Sequence, residues 1–139
     1  MNYQKNQKVI DAVINYPIHN SFGILYGEIY KPVKEIKNKK ILIKKHIFNF
    51  IKLKYGLNAD FVLDFNRKAE RVTMRQYICL YCRENDYSLN QIGALIGGRD
   101  HTTVLNNLNK ANNYLKFDDY YEKNYKAFVR SFDIYLSGI

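Results

Sequence analysis

The chain has 139 residues, 47% of them hydrophobic and 25% charged, the size and balance of one globular domain with a real core. Only 2 prolines and 7 glycines occur and no run of about 18 apolar residues is present, which excludes collagen-like, Pro/Gly low-complexity and membrane-spanning chains. Lys plus Arg is 22 against 13 Asp plus Glu, a formal charge of +9 that suits a polyanionic partner, and the scarcity of turn-formers predicts mostly helix.

Residues 3–16 carry Val9, Ile10, Val13 and Ile14 at helical spacing, a pattern that Pro17 ends. An aromatic, glycine-punctuated stretch follows from Ile18 to Tyr30, readable as a short helix or a packed loop. Lys31, Lys34, Lys37, Lys39 and Lys40 then stand against Glu35 alone, a basic run suited to a solvated face or to DNA backbone. Ile41, Ile43, Ile47, Phe48, Phe50, Ile51 and Tyr55 predict a helix surrounded by Lys44, Lys45, Lys52 and Lys54, with Gly56 as its left-handed cap. Asn58 or Asp60 starts a short helix through Phe61, Val62, Leu63 and Phe65. Met74 to Arg83 reads as a further helix with Ile78, Cys79, Tyr81 and Cys82 inward.

The two cysteines have C-x-x-C spacing, but a structural zinc needs four ligands, and His19, His46 and His101 are scattered. Buried, reduced thiols in a cytoplasmic protein are the expectation, since MNYQKNQKV lacks the apolar run of a signal peptide. Ser88 and Gln91 form a capping box ahead of Ile92, Leu95 and Ile96, and this short helix stops at Gly97-Gly98. Asp100 is placed to cap a new helix carrying Val104, Leu105 and Leu108. Phe117, Tyr121, Tyr125, Phe128 and Phe132 mark a last helix, opened by Asp118 and Asp119 where its dipole favours acid.

Helix, glycine turn, helix is the grammar of a helix-turn-helix, whose second helix puts its first residues into the major groove. Here those residues are Arg99, Asp100, His101, Thr102 and Thr103, all polar. Arg99 suits phosphate or guanine, Asp100 a cytosine amino group, His101 a base edge and a Thr methyl the thymine methyl. Asp100 and His101 side by side do not make a nuclease: neighbouring helical residues point about 100° apart, and no second carboxylate cluster stands by to hold a metal. No enzymatic activity and no cofactor are expected.

The run IGALIGGRDHTTVLNNLNK, residues 92–110, resembles the signature of the C-terminal DNA-binding domain of the bacterial replication initiator DnaA. KLKYGLNADFVLDFNRK, RVTMRQYICLYCREN and KFDDYYEKNYKAFVRSF resemble further parts of that domain, so the likeness spans about residues 41–136. It implies an all-α, Trp-repressor-like helix-turn-helix over residues 41–139. Residues 1–40 lie outside the likeness, an extension that packs on the domain, adds backbone contacts through its lysines or binds a protein partner. The likeness also implies recognition of double-stranded DNA at a site like TTATCCACA, in a cytoplasmic, nucleoid-associated protein acting on replication or transcription.

By the same resemblance Asp100, His101 and Thr102 fall on base-contacting positions, and Arg99 and Thr103 on backbone-contacting or supporting ones. Arg75 and Gln76 match an Arg-Gln pair expected at phosphate, and Ser88 would put backbone N–H groups near another. Lys44 and Lys45 are expected at DNA backbone. Thr73 stands where some members carry a minor-groove arginine, a contact that Arg67, Lys68 or Arg71 would have to replace. Asn106 and Asn107 replace a His-Ala pair common in the family. No segment matches the G-x-x-x-x-G-K-[ST] phosphate loop of an ATPase, so no nucleotide is an expected partner, and with no apolar run of membrane length a membrane is not one either. The competing reading is a protein-interaction module that keeps this fold without specific DNA binding.

Overall fold

The structure is a computed structural model that describes residues 36–139; the expected helix at 3–16, the segment 18–30 and the first lysines of the basic run lie outside them. Its helices are α1 Lys39–Tyr55, α2 Asp60–Leu63, α3 Ala69–Glu84, α4 Leu89–Leu95, α5 His101–Phe117 and α6 Asp119–Ser137. No strand occurs among the described residues, and the fold is all-α with a helix-turn-helix, as expected. No helix among them is long and apolar enough to cross a membrane.

The helix ends follow local chemistry. Gly56 closes α1 in the left-handed region, φ 68°, with its N–H donating to the Lys52 carbonyl. The Ser88 hydroxyl accepts from the Gln91 N–H at 3.1 Å while Gln91 Oε1 accepts from the Ser88 N–H at 2.9 Å, completing the capping box of α4. Asp100 caps α5 by accepting from Thr103 N–H at 2.8 Å, and Asp118 caps α6 by accepting from Tyr121 N–H at 3.1 Å.

Three sequence expectations change. α2 ends at Leu63, leaving Phe65 outside the helix and exposed. α3 starts at Ala69 rather than Met74, because Asp64 and Asn66 side chains accept from the Asn66 and Lys68 N–H groups and fold the chain straight into a helix entry. That entry outweighs the weak helix propensity of Val72 and Thr73. Phe117 is the last residue of α5 and exposed, and Leu105 also faces out.

Every residue of α3 from Met74 to Cys82 is buried, so this helix runs through the middle with α2, α4, α5 and α6 around it, while α1 packs on α6. A helix covered on all sides has no one-sided apolar stripe to read. The core beside it is aromatic: Phe50 stacks on Phe132 at 4.8 Å and meets Phe128 edge-on at 5.8 Å, and Tyr81 leans on Phe132 at 5.0 Å. Several tyrosines bury the ring and satisfy the hydroxyl at the margin, Tyr81 donating to Asp133 at 2.5 Å and Tyr125 to Glu84 at 2.6 Å. Cys79 and Cys82 are free and fully buried, and burial pushes the Cys79 thiol up to about 12. They behave as small core residues.

Phe128 packs against the rings of Phe50, Tyr55, Tyr77 and Tyr81, and its side chain is fully buried. Phe128→Ala is expected to cost about 3–5 kcal/mol, read as a lower urea midpoint with an unchanged slope.

Candidate nucleic-acid interface

α4, the Gly97-Gly98 turn and α5 form one unit held by the backbone. The Gly93 carbonyl accepts from the N–H groups of both Gly98 and Arg99 at 2.9 Å. A Cβ on Gly93 would lie 1.9 Å from the Arg99 carbonyl oxygen, so the turn folds back into space that only glycine leaves. α5 then docks through Val104, Leu108 and Ala111, all buried, on the i, i+4, i+7 face. With that face fixed inward, His101, Thr102 and Thr103 project from the first turn into solvent.

Asp100 lies at the start of the same turn. Its carboxyl is held below the usual carboxylate range, first by the hydrogen bond from the Thr103 backbone. One of its oxygens is thereby committed to the cap, whatever the other meets.

The arginines behave differently from one another. Arg99 turns back, donating to the carbonyls of Ile96 and of Asp64, the latter at 2.5 Å, and its guanidinium lies 5.0 Å from the Phe65 ring centre. Arg75 is buried, donating to the Val62 carbonyl at 2.7 Å, the Asp64 carbonyl at 2.6 Å and Asp64 Oδ1 at 3.0 Å. Burial lowers the Arg75 pKa, the neighbouring Arg99 charge adds to this and Asp64 opposes it. Gln76 is buried as well, its Oε1 accepting from the Tyr121 hydroxyl at 2.8 Å. Arg75 and Gln76, expected at phosphate, are thus engaged inside the protein, where they hold the loop and the helices. Arg71 bonds Asp64 Oδ2 at 2.5 Å and stacks on Phe61 at 4.5 Å. Of the three cations expected to replace the arginine at Thr73, Arg67 and Lys68 are exposed, whereas Arg71 is tied down.

Ser88 is exposed at the start of α4. Lys44 reaches a shallow hollow between α1 and α4, with Lys40, Gln91 and Ala94. Lys45 is exposed too, but its side chain leaves α1 about 100° away from that of Lys44, so the two do not share a face. His46 packs edge-on to Tyr135, away from any metal set, and no group of three ligating side chains occurs among the described residues.

A groove runs along α5 between Phe65 and Arg67 on one side and Thr103, Asn107 and Lys110 on the other. Reading the sequence does not single out the last three together, although Thr103, Asn107 and Lys110 follow the i, i+4, i+7 spacing of one helix face. That spacing is the available signal. For Phe65 there is none, because an aromatic after Phe61 and Val62 reads as core.

Residues 44–111 match the family model described as the bacterial dnaA protein helix-turn-helix. The chromosomal replication initiator protein DnaA of Herpetosiphon aurantiacus is 34% identical over 85 residues, 60% of this chain and 18% of that protein. The DnaA protein of Cutibacterium acnes is 46% identical over 52 residues, 37% of this chain and 10% of that protein. That of Mycoplasma capricolum is 33% identical over 85 residues, 60% of this chain and 19% of that protein. The chain therefore spans about a fifth or less of the length of these curated relatives. No solved structure matches it. Over the matched residues the chain is a helix-turn-helix of the DnaA C-terminal kind.

Gly93→Ala must push the Arg99 carbonyl away and is expected to cost about 2 kcal/mol or more, seen in urea unfolding together with faster amide exchange at Gly98 and Arg99. The Asp100 cap is pH-dependent. Its folded pKa is depressed, so its stabilisation is complete above the unfolded value of about 4 and is lost as pH falls through the lower folded value. Wild type and Asp100→Ala are expected to differ in thermal midpoint at neutral pH and to converge in acid.

Proposed function

We propose that this DnaA-type helix-turn-helix binds double-stranded DNA at a sequence like TTATCCACA, reading bases with the first turn of α5. The carrying observation is the contrast along that helix: Val104, Leu108 and Ala111 are buried, while Asp100, His101, Thr102 and Thr103 are exposed and polar at its leading end. A helix docked on its own scaffold by one stripe, with donors and acceptors at its free tip, suits insertion into the major groove. In this reading His101 and Thr102 meet base edges and the thymine methyl, and the oxygen of Asp100 not used by the cap accepts from a cytosine amino group. In the same reading Arg99 is a supporting residue that fixes the turn, and Arg67, Lys68, Lys44 and the Ser88 backbone contact phosphates. The family match and the net charge of +9 support the same reading. Activity in replication initiation is taken from the relatives' names and is part of the proposal, as is activity in transcription, which those names do not mention.

His101→Ala and Thr102→Ala are each expected to weaken binding to the preferred duplex by about 1–3 kcal/mol and to narrow its margin over a scrambled duplex. Lys44→Ala is expected to weaken both duplexes alike and to make the dependence on salt shallower. Fluorescence anisotropy at several salt concentrations measures all three. Unchanged affinity and preference in His101→Ala would remove the base-reading role from the first turn of α5.

A further inference from the structure

The groove between α5 and the loop over residues 64–68 has more in it than base reading needs. Phe65 is 78% exposed on one wall, yet it is not a loose side chain. The Asp64 carbonyl beside it accepts from both Arg75 and Arg99, the Asn66 N–H donates to Asp64 Oδ1, and the Arg99 guanidinium lies over the ring. A lone exposed apolar residue is ordinary. A ring presented by a pinned turn, on the wall of a groove that starts at the Asp100 cap, is less so.

The charges along this groove are one-sided. Arg67 stands near Phe65 and Lys110 on the α5 wall, and neither is paired with an acid among the described residues. Asp100 is the one acid among the lining residues, and its cap occupies one of its oxygens. Cations on both walls, amides from α5 between them and an exposed ring at the rim complement a sugar–phosphate strand. An acidic protein partner would satisfy the cations but would leave unexplained why the groove begins at the base-reading turn.

We propose that this groove takes one strand of the DNA bordering the base-read site, with Arg67 and Lys110 on its phosphates and the Phe65 ring against a deoxyribose or a base edge. The inference rests on the DNA-binding reading above and adds to it contacts from Phe65 and Lys110. The two contacts differ in kind. A lysine on phosphate releases counterions and so appears in the salt slope, whereas a neutral ring contributes affinity that salt hardly changes.

The test is anisotropy of the full chain on its preferred duplex across a salt series, with circular dichroism confirming that each variant is folded. Phe65→Ala is expected to bind about tenfold more weakly with an unaltered salt slope, and Phe65→Tyr to recover most of the loss. Lys110→Ala is expected to bind more weakly at low salt, with a slope shallower by about 0.9. If both alanine variants bind as wild type while His101→Ala loses the site, the groove lies off the DNA and this inference fails alone. If wild type binds no duplex, the DNA-binding reading fails and the inference falls with it.

Discussion

Three guanidinium groups converge on one turn of chain, and the presentation of the helix-turn-helix depends on them. Arg71 and Arg75 hold the Asp64 carboxylate, and Arg75 and Arg99 share its carbonyl. Arg75 comes from the central helix and Arg99 from the turn before α5, so one aspartate ties the loop after α2, α3 and α5 together. Arg75 is buried, and burying a charge is tolerable only where hydrogen bonds replace its water; here its bonds go to the Val62 and Asp64 carbonyls and the Asp64 carboxylate. Arginine suits this role because its planar fork reaches several acceptors at once.

The consequence is a division of labour among polar groups that look equivalent in the sequence. Those that set geometry point inward: Arg75 to Val62 and Asp64, Gln76 to Tyr121, Arg99 to Ile96 and Asp64. Those at the tip of α5 are exposed instead, and of them Asp100 alone sets geometry, through the cap that fixes the direction in which the tip emerges. Gly93 adds the last constraint by letting the turn return onto α4 at backbone contact. A helix tip held this way is pre-organised, and little conformational entropy remains to be lost on binding.

What is legible in the sequence is what short-range chemistry decides. Gly56, the Ser88–Gln91 box, Asp100 and Asp118 each act within one helical turn, and each stands where the sequence places it. The likeness carried by GGRDHTTV is equally local. Residue roles that depend on distant partners are not legible. Gln76 faces inward because of Tyr121, 45 positions away, and Arg99 because of Asp64, 35 positions away. Phe65 reads as core from its neighbours, and only the turn made by Asp64 and Asn66 puts it outside. α3 hides its start for a related reason, since a helix enclosed on all sides shows no amphipathic edge.

The central claim is that the exposed first turn of α5 reads base sequence. Equilibrium binding of the wild-type chain to a duplex carrying TTATCCACA and to a scrambled duplex of the same composition, at two salt concentrations, tests it most directly. Tighter binding to the first duplex that persists at the higher salt is the predicted result, because base contacts survive when the phosphate contribution is screened. Equal affinity for both duplexes, falling together with salt, would contradict it.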